Sequence, residues 1–353
     1  MQDRKKILVA PLNWGLGHAT RCIPVIEALE NHNFEPIIAS DGIALALLKK
    51  EFPHLQAVEL PAYQIEYAKS GAFFKLKMIA QLPKMIKAVK KENTAVQRLI
   101  KEHNIQGVIS DNRLGAFTAK VPCVFITHQL NVLTGNTTWF TSTIHRMFIK
   151  KYTECWVPDV KTAVNLSGKL GHLEDENIIK VKYIGPLSRL HKKCLPKKYD
   201  LMAILSGPEP QRTILETKLE KELPLYNGRV IFVKGLVEKE EKVTVNGNVT
   251  SYNFMNSAAL EQAFNESETV LCRSGYTTIM DLAQLGKKAF FIPTPGQYEQ
   301  EYLAHKLKKA GLVPYARQSN FKISDLEKTE LYKGLKNIGT EVRWKDLFNL
   351  FRG

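Results

Sequence analysis

Residues 7–21 read Ile-Leu-Val-Ala-Pro-Leu-Asn-Trp-Gly-Leu-Gly-His-Ala-Thr-Arg: an apolar run, two closely spaced glycines, then small and polar residues opening a helical stretch. An apolar run without alternation is what a strand needs when a parallel sheet is covered on both faces. Gly15 and Gly17 let the backbone turn sharply at the strand's carboxyl end, and the helix that follows offers free N–H groups to negative charge. A dinucleotide fingerprint would place a third glycine where Thr20 stands, so NAD binding is poorly supported. His18 sits at the lip of this turn, where a general base would be useful; a capping or packed histidine is the alternative reading.

The same alternation continues along the chain. Ile7–Leu12, Pro36–Ala39, Val58–Leu60, Gly107–Ser110, Cys123–Thr127 and Cys155–Val157 read as strands, with helices between them at His18–Asn31, Ile43–Glu51, Leu114–Lys120 and Trp139–Tyr152. A polar stretch punctuated by Gly185-Pro186 follows, and then a second series begins. Its strands are Leu201–Leu205, Val230–Val233, Thr269–Cys272 and Ala289–Pro293; its helices are Gln211–Glu222, Ser257–Asn265, Thr277–Leu285 and Tyr298–Ala310. Asn246-Gly247-Asn248 signals a tight turn, and Thr340–Phe351 an amphipathic helix. The expected fold is α/β, with two Rossmann-like, doubly wound parallel-sheet domains facing a central cleft. The expected boundaries are 1–185, a hinge at 186–199, a second domain at 200–335, and a final helix at 336–353 packing back on the first domain.

Fifty Lys+Arg against 35 Asp+Glu give a formal charge of +15, which points to an anionic partner. The bias is strongest between Lys69 and Lys101, where Lys69, Lys75, Lys77, Lys84, Lys87, Lys90, Lys91, Arg98 and Lys101 face Glu92 alone. Phe73, Phe74, Leu76, Met78, Ile79, Leu82, Met85, Ile86, Val89 and Val96 interleave with these cations, and Pro83 is expected to break or kink the segment. It reads either as a surface for anionic lipid or as the solvated face of an ordinary helix. Five dispersed cysteines without a CxxC pair, no apolar run of membrane-spanning length and no signal-peptide pattern favour a cytoplasmic protein. No metal cluster or nucleic-acid-binding motif stands out.

In open parallel sheets, ligands bind outside the carboxyl ends of the strands. Asp111, in Ser110-Asp111-Asn112-Arg113, ends a strand there and is placed to orient His18, or else to cap a helix. His128 ends the next strand and is an acceptor-contact candidate. In the second half, Arg273-Ser274-Gly275-Tyr276-Thr277-Thr278 opens a helix and forms a candidate diphosphate cradle, with Asp281 one turn further on for ribose hydroxyls. Gly207 marks another strand-end loop. Gln297, Glu299, Gln300 and Glu301 offer amides and carboxylates suited to a polyhydroxylated sugar.

Arg273–Asp281, Pro293–Gln300 and Tyr302-Leu303-Ala304 resemble the donor-binding half of GT-B glycosyltransferases. The likeness is to the bacterial N-acetylglucosaminyltransferases of the peptidoglycan lipid precursor and to the UDP-glycosyltransferases. GLGHATR at 15–21 resembles their glycine loop with its catalytic histidine, and VISDNRLGAFTAKVPCVFITHQ at 108–129 the segment carrying its aspartate partner. The resemblance spans both halves and is strongest from 250 to 310. It implies an inverting, metal-independent transferase that moves a hexosyl or N-acetylhexosaminyl group from a nucleotide-diphosphate sugar, in these families a UDP-sugar, to a hydroxyl. His18 and Asp111 would be catalytic. Gly15, Gly17, Gly207, Arg273, Ser274, Gly275, Thr277, Thr278, Asp281, Gln297, Glu299 and Gln300 would bind the donor. No cofactor is implied. The acceptor stays open, a lipid-linked one fitting the basic segment and the inner face of a membrane. Where the families carry an Asp-Gln or Gln-Gln pair this chain has Glu299-Gln300-Glu301, which leaves the donor sugar undetermined. A nucleotide-sugar hydrolase or epimerase of the same fold, and a non-catalytic anion binder, are the alternatives.

Overall fold

The structure, a computed structural model, describes residues 4–63, 74–133, 138–175, 178–236, 238, 240–336, 338 and 341–352. Two compact units emerge from the contacts: Met1–Lys161 with Lys169–Arg189 and Thr340–Gly353, and Thr162–Gly168 with Leu190–Gly339.

The first unit contains β1 (Lys5–Pro11), α1 (Leu16–Asn31), β2 (Phe34–Ser40), α2 (Gly42–Glu51), β3 (Ala57–Glu59), α3 (Phe74–Glu102), β4 (Ile105–Asp111), β5 (Cys123–Ile126), α4 (Thr138–Ile149), β6 (Glu154–Val157) and β7 (Val181–Tyr183). Among the described residues the sheet has seven strands in the order β3-β2-β1-β4-β5-β6-β7, every pair parallel. Ile7, Leu8, Val9 and Ala10 are wholly buried, as a strand covered on both faces must be. The chain runs outward from β1 through β2 to β3, then reverses to β4, so the switch point lies between the carboxyl ends of β1 and β4.

The second unit contains β8 (Tyr199–Ile204), α5 (Gln211–Glu222), β9 (Val230–Val233), β10 (Val243–Asn246), β11 (Val249–Tyr252), α6 (Ser257–Glu266), β12 (Ser267–Cys272), α7 (Tyr276–Leu285), β13 (Lys288–Phe291) and α8 (Tyr298–Lys309). Its six strands run β10-β11-β9-β8-β12-β13; β10 and β11 form an antiparallel hairpin, and the other pairs are parallel. Here the switch point lies between β8 and β12.

The closing segment, α9 (Trp344–Phe348) and a 3-10 turn at Asn349–Phe351, is shorter than the expected helix. It belongs to the first unit, where Phe348 and Phe351 meet Phe34 and Trp156 edge-on or tilted. Gly107 makes room for it, since a Cβ there would lie 2.5 Å from Phe351 Cδ1. Burying each phenyl ring contributes about 1.5–3 kcal/mol.

Two local expectations are corrected. Residues 114–120 form turns and irregular structure, not a helix. The side-chain amide of Asn93 donates to the Gly115 and Phe117 carbonyls and that of Gln97 to Phe117, so α3 supplies the partners that a helix would have found within itself. The helix α3 also continues through Pro83 for 29 residues. Residues 64–73 of the basic segment, Lys69 and Phe73 included, lie outside the described residues, as do the side chains of 74–82. Lys84, Lys87, Lys90, Lys91, Arg98 and Lys101 are exposed, while Val89, Val96, Leu99 and Ile100 are buried. Among the described residues, no helix is long and apolar enough to cross a membrane.

Candidate active site

In the first unit, Gly15 caps α1 with φ 74° and ψ 177°, a backbone conformation that a side chain would strain. The tight turn delivers His18 in the first turn of the helix, beside the end of β4. There its Nδ1 lies 2.9 Å from Asp111 Oδ1 across 93 residues of sequence. Asp111 is wholly buried, whereas the His18 side chain keeps 15% of its exposure.

Arg21, one turn along α1 from His18 and 1% exposed, completes the arrangement. Its Nε donates to Asp111 Oδ2 at 2.6 Å, its Nη2 to Asp111 Oδ1, and its Nη1 to His128 Nδ1 at 3.2 Å. Nη2 also stands 2.7 Å from His18 Nδ1. Asp111 Oδ1 is the acceptor common to both groups, so the hydrogens of Nη2 and Nδ1 converge on it. That assignment leaves the lone pair of His18 on Nε2, at the edge of the ring away from Asp111. Burial alone would raise the Asp111 carboxyl, but the Arg21 guanidinium and His18 outweigh it and hold it at about 2. The three predicted residues His18, Asp111 and His128 are thus gathered by a fourth to which the sequence reading assigned no role. The available signal was its i+3 spacing from His18, which puts both on one helix face.

A second buried network fixes the loop after Asp111. Arg113 Nε donates to Glu92 Oε1 at 2.6 Å, and its Nη2 to Asp41 Oδ1 at 2.7 Å. Glu92 Oε2 accepts from the Gly115 N–H at 2.7 Å and from the Tyr63 hydroxyl. The single acid in the basic segment therefore points inward, and burial raises its carboxyl.

In the second unit, α7 is capped at its N-terminus by Gly275, which has no side chain to occupy the first-turn N–H groups. Gly275 has φ −71°, and a Cβ there would meet nothing within 4 Å, so neither the backbone nor its neighbours require glycine. Ser274 is buried, its hydroxyl donating to the Gln300 carbonyl at 2.8 Å. Thr277, Thr278 and Asp281 are half-buried along the first turns of α7. Gly207, exposed with φ 107°, lies over Thr294, whose Oγ1 would be 3.7 Å from a Cβ at that glycine. Gln297 caps α8, and Glu299 and Gln300 lie half-buried in its first turn. Gln300 Nε2 donates to Gln297 Oε1 at 2.6 Å, and its Oε1 accepts from the Thr294 N–H at 2.9 Å.

Arg273 stands differently from expectation. It is 1% exposed, and its guanidinium donates to the carbonyls of Ile292 at 3.0 Å, Pro293 at 3.2 Å and Gln211 at 2.8 Å. Burial lowers it to about 10. In this structure it ties the strand-end loops together from beneath.

Residues 212–341 match the glycosyltransferase family 28 C-terminal domain. The UDP-N-acetylglucosamine–N-acetylmuramyl-(pentapeptide) pyrophosphoryl-undecaprenol N-acetylglucosamine transferase of Glaesserella parasuis is 23% identical over 330 residues, covering 90% of this chain and 86% of that one. Among solved structures, MurG of Acinetobacter baumannii superposes with a TM-score of 0.55 at 13% identity, covering 94% of this chain and 92% of that one. The spinosyn rhamnosyltransferase SpnG, complexed with thymidine diphosphate, does so with 0.60 at 14% identity, covering 98% and 95%.

Proposed function

We propose that this chain, a glycosyltransferase of GT-B fold, performs an inverting transfer from a UDP-sugar to an acceptor hydroxyl, with His18 as the base. The observation that carries this is the His18–Asp111 pair at the carboxyl ends of adjacent parallel strands, with the ring's Nε2 free to take a proton. In the reaction, the acceptor oxygen bonds to the anomeric carbon as its proton passes to Nε2. The bond from that carbon to the diphosphate oxygen breaks, and its electron pair leaves with the nucleoside diphosphate. A single displacement inverts the centre.

The donor falls to the second unit. At Gly275, the N-cap of α7, a Cβ would meet nothing within 4 Å, so no side chain stands between a ligand and helix N–H groups that favour negative charge. Electrostatic stabilisation of the leaving diphosphate by such donors needs no metal in this proposal. A nucleoside diphosphate bound in SpnG supports the ligand class, and the name of the Glaesserella relative supports uridine, N-acetylglucosamine and a polyprenol-linked acceptor. The exposed cations of α3, each worth about 1 kcal/mol near an anionic surface, would bring the enzyme to such an acceptor on the cytoplasmic face of a membrane.

A thermal-shift titration with UDP, dTDP, GDP and their sugar conjugates tests the donor: UDP and UDP-N-acetylglucosamine should raise the midpoint, by the equivalent of about 2.7 kcal/mol at a hundred-fold excess over Kd. His18→Ala should keep that shift but lower transfer to a short-chain polyprenyl-diphosphate sugar about 100-fold or more. A shift with none of the nucleotides, or near-normal transfer by the variant, would sink the reading.

A further inference from the structure

We propose that Arg21 is the positioning residue of this site: it shares the Asp111 carboxylate with His18 and ties His128 to the same buried unit. The base then works as one arm of a charge-balanced group and not as half of an isolated pair. This rests on His18 being the base.

A carboxylate alone against an imidazole draws the ring toward its cation, and a cationic ring cannot accept the acceptor's proton. Here the carboxylate already carries a bidentate guanidinium through Nε and Nη2, so the pair that faces the ring is close to neutral. What remains is direction: Asp111 Oδ1 still takes the Nδ1 hydrogen and holds Nε2 outward. Of the other titratable groups on α1, Cys22 has its Sγ 3.8 Å from Asp111 Oδ2 and is kept a thiol by burial, while Glu30 pairs with His54. From the loop after β5 comes His128, which in turn faces the half-buried His145 of α4. Asp111 is an anion that Arg21 grips through two nitrogens, and its carboxyl is held low chiefly by that guanidinium.

The test is an NMR titration of the His18 ring in the full chain, for the parent, Arg21→Gln, Arg21→Lys, Asp111→Asn and the double variant Arg21→Gln/Asp111→Asn. Removing the guanidinium charge should move the ring's midpoint upward by about one pH unit or more in Arg21→Gln, and upward from Asp111→Asn to the double variant. Arg21→Lys, which keeps the charge, should stay close to the parent. The double variant buries no unbalanced charge, so the comparison survives even if Arg21→Gln does not fold. A midpoint that ignores the loss of Arg21 in both comparisons overturns the inference. If the midpoints move as stated while transfer proves independent of His18, Arg21 retains its charge-balancing role and the reading of His18 as base is what fails.

Discussion

Replacing Asp111 by asparagine removes the carboxylate that Arg21 grips through Nε and Nη2, and the cost can be worked from the structure. The carboxyl is held at about 2 in the folded chain, well below its ordinary value of 3.8, chiefly by the Arg21 guanidinium. At 1.36 kcal/mol per unit, that ionisation contributes about 2 kcal/mol of stability. The variant also leaves a guanidinium that is 1% exposed without its counter-ion, and breaking a buried pair from one side typically costs about 3–5 kcal/mol. Asp111→Asn should therefore be less stable by about 3–5 kcal/mol at pH 7. A depressed carboxyl stabilises the fold above its unfolded value and loses that contribution as pH falls through its folded value. The gap should accordingly shrink by about 2 kcal/mol between pH 5 and 2. Urea unfolding followed by tryptophan fluorescence isolates the relevant half, because Trp14, Trp139, Trp156 and Trp344 all belong to the first unit. A gap under about 1 kcal/mol at pH 7, or one that stays constant down to pH 2, would refute the ion-pair argument.

Two further outcomes concern the second unit. Thr294 is 2% exposed and its hydroxyl has no hydrogen-bond partner among the described residues, so Thr294→Val should raise stability by about 1 kcal/mol in calorimetry; destabilisation would show that the hydroxyl is satisfied after all. Arg273→Ala strips donors from two buried carbonyls, at about 1–3 kcal/mol each, and from the part-buried one of Gln211, and should lower the stability of the second unit by several kcal/mol. An unchanged transition with much weaker nucleotide binding would return Arg273 to the diphosphate.

Much of the fold was legible because its signals are local. Strands buried on both faces read as unbroken apolar runs such as Ile7–Ala10, and Asn-Gly-Asn marked the β10–β11 hairpin. Where the backbone's partners come from elsewhere, local reading failed: Leu114–Lys120 had helical composition, but Asn93 and Gln97 of α3 claim its carbonyls. Glu92 looked like a stray acid in a basic stripe, and only the packing of α3 turned it toward Arg113.

By itself, then, the sequence determined the α/β class, the glycine turn that exposes His18, and the strand ends at which Asp111, His128 and Ser274 would stand. Periodicity and turn chemistry act over a few residues, and those features need nothing more. Tertiary structure alone decided that Arg21 grips an aspartate 90 positions away, and that Arg273 faces inward to three carbonyls. A guanidinium bonds to whatever acceptor the folded backbone brings within about 3 Å once water is excluded, and no local pattern records which acceptor that will be.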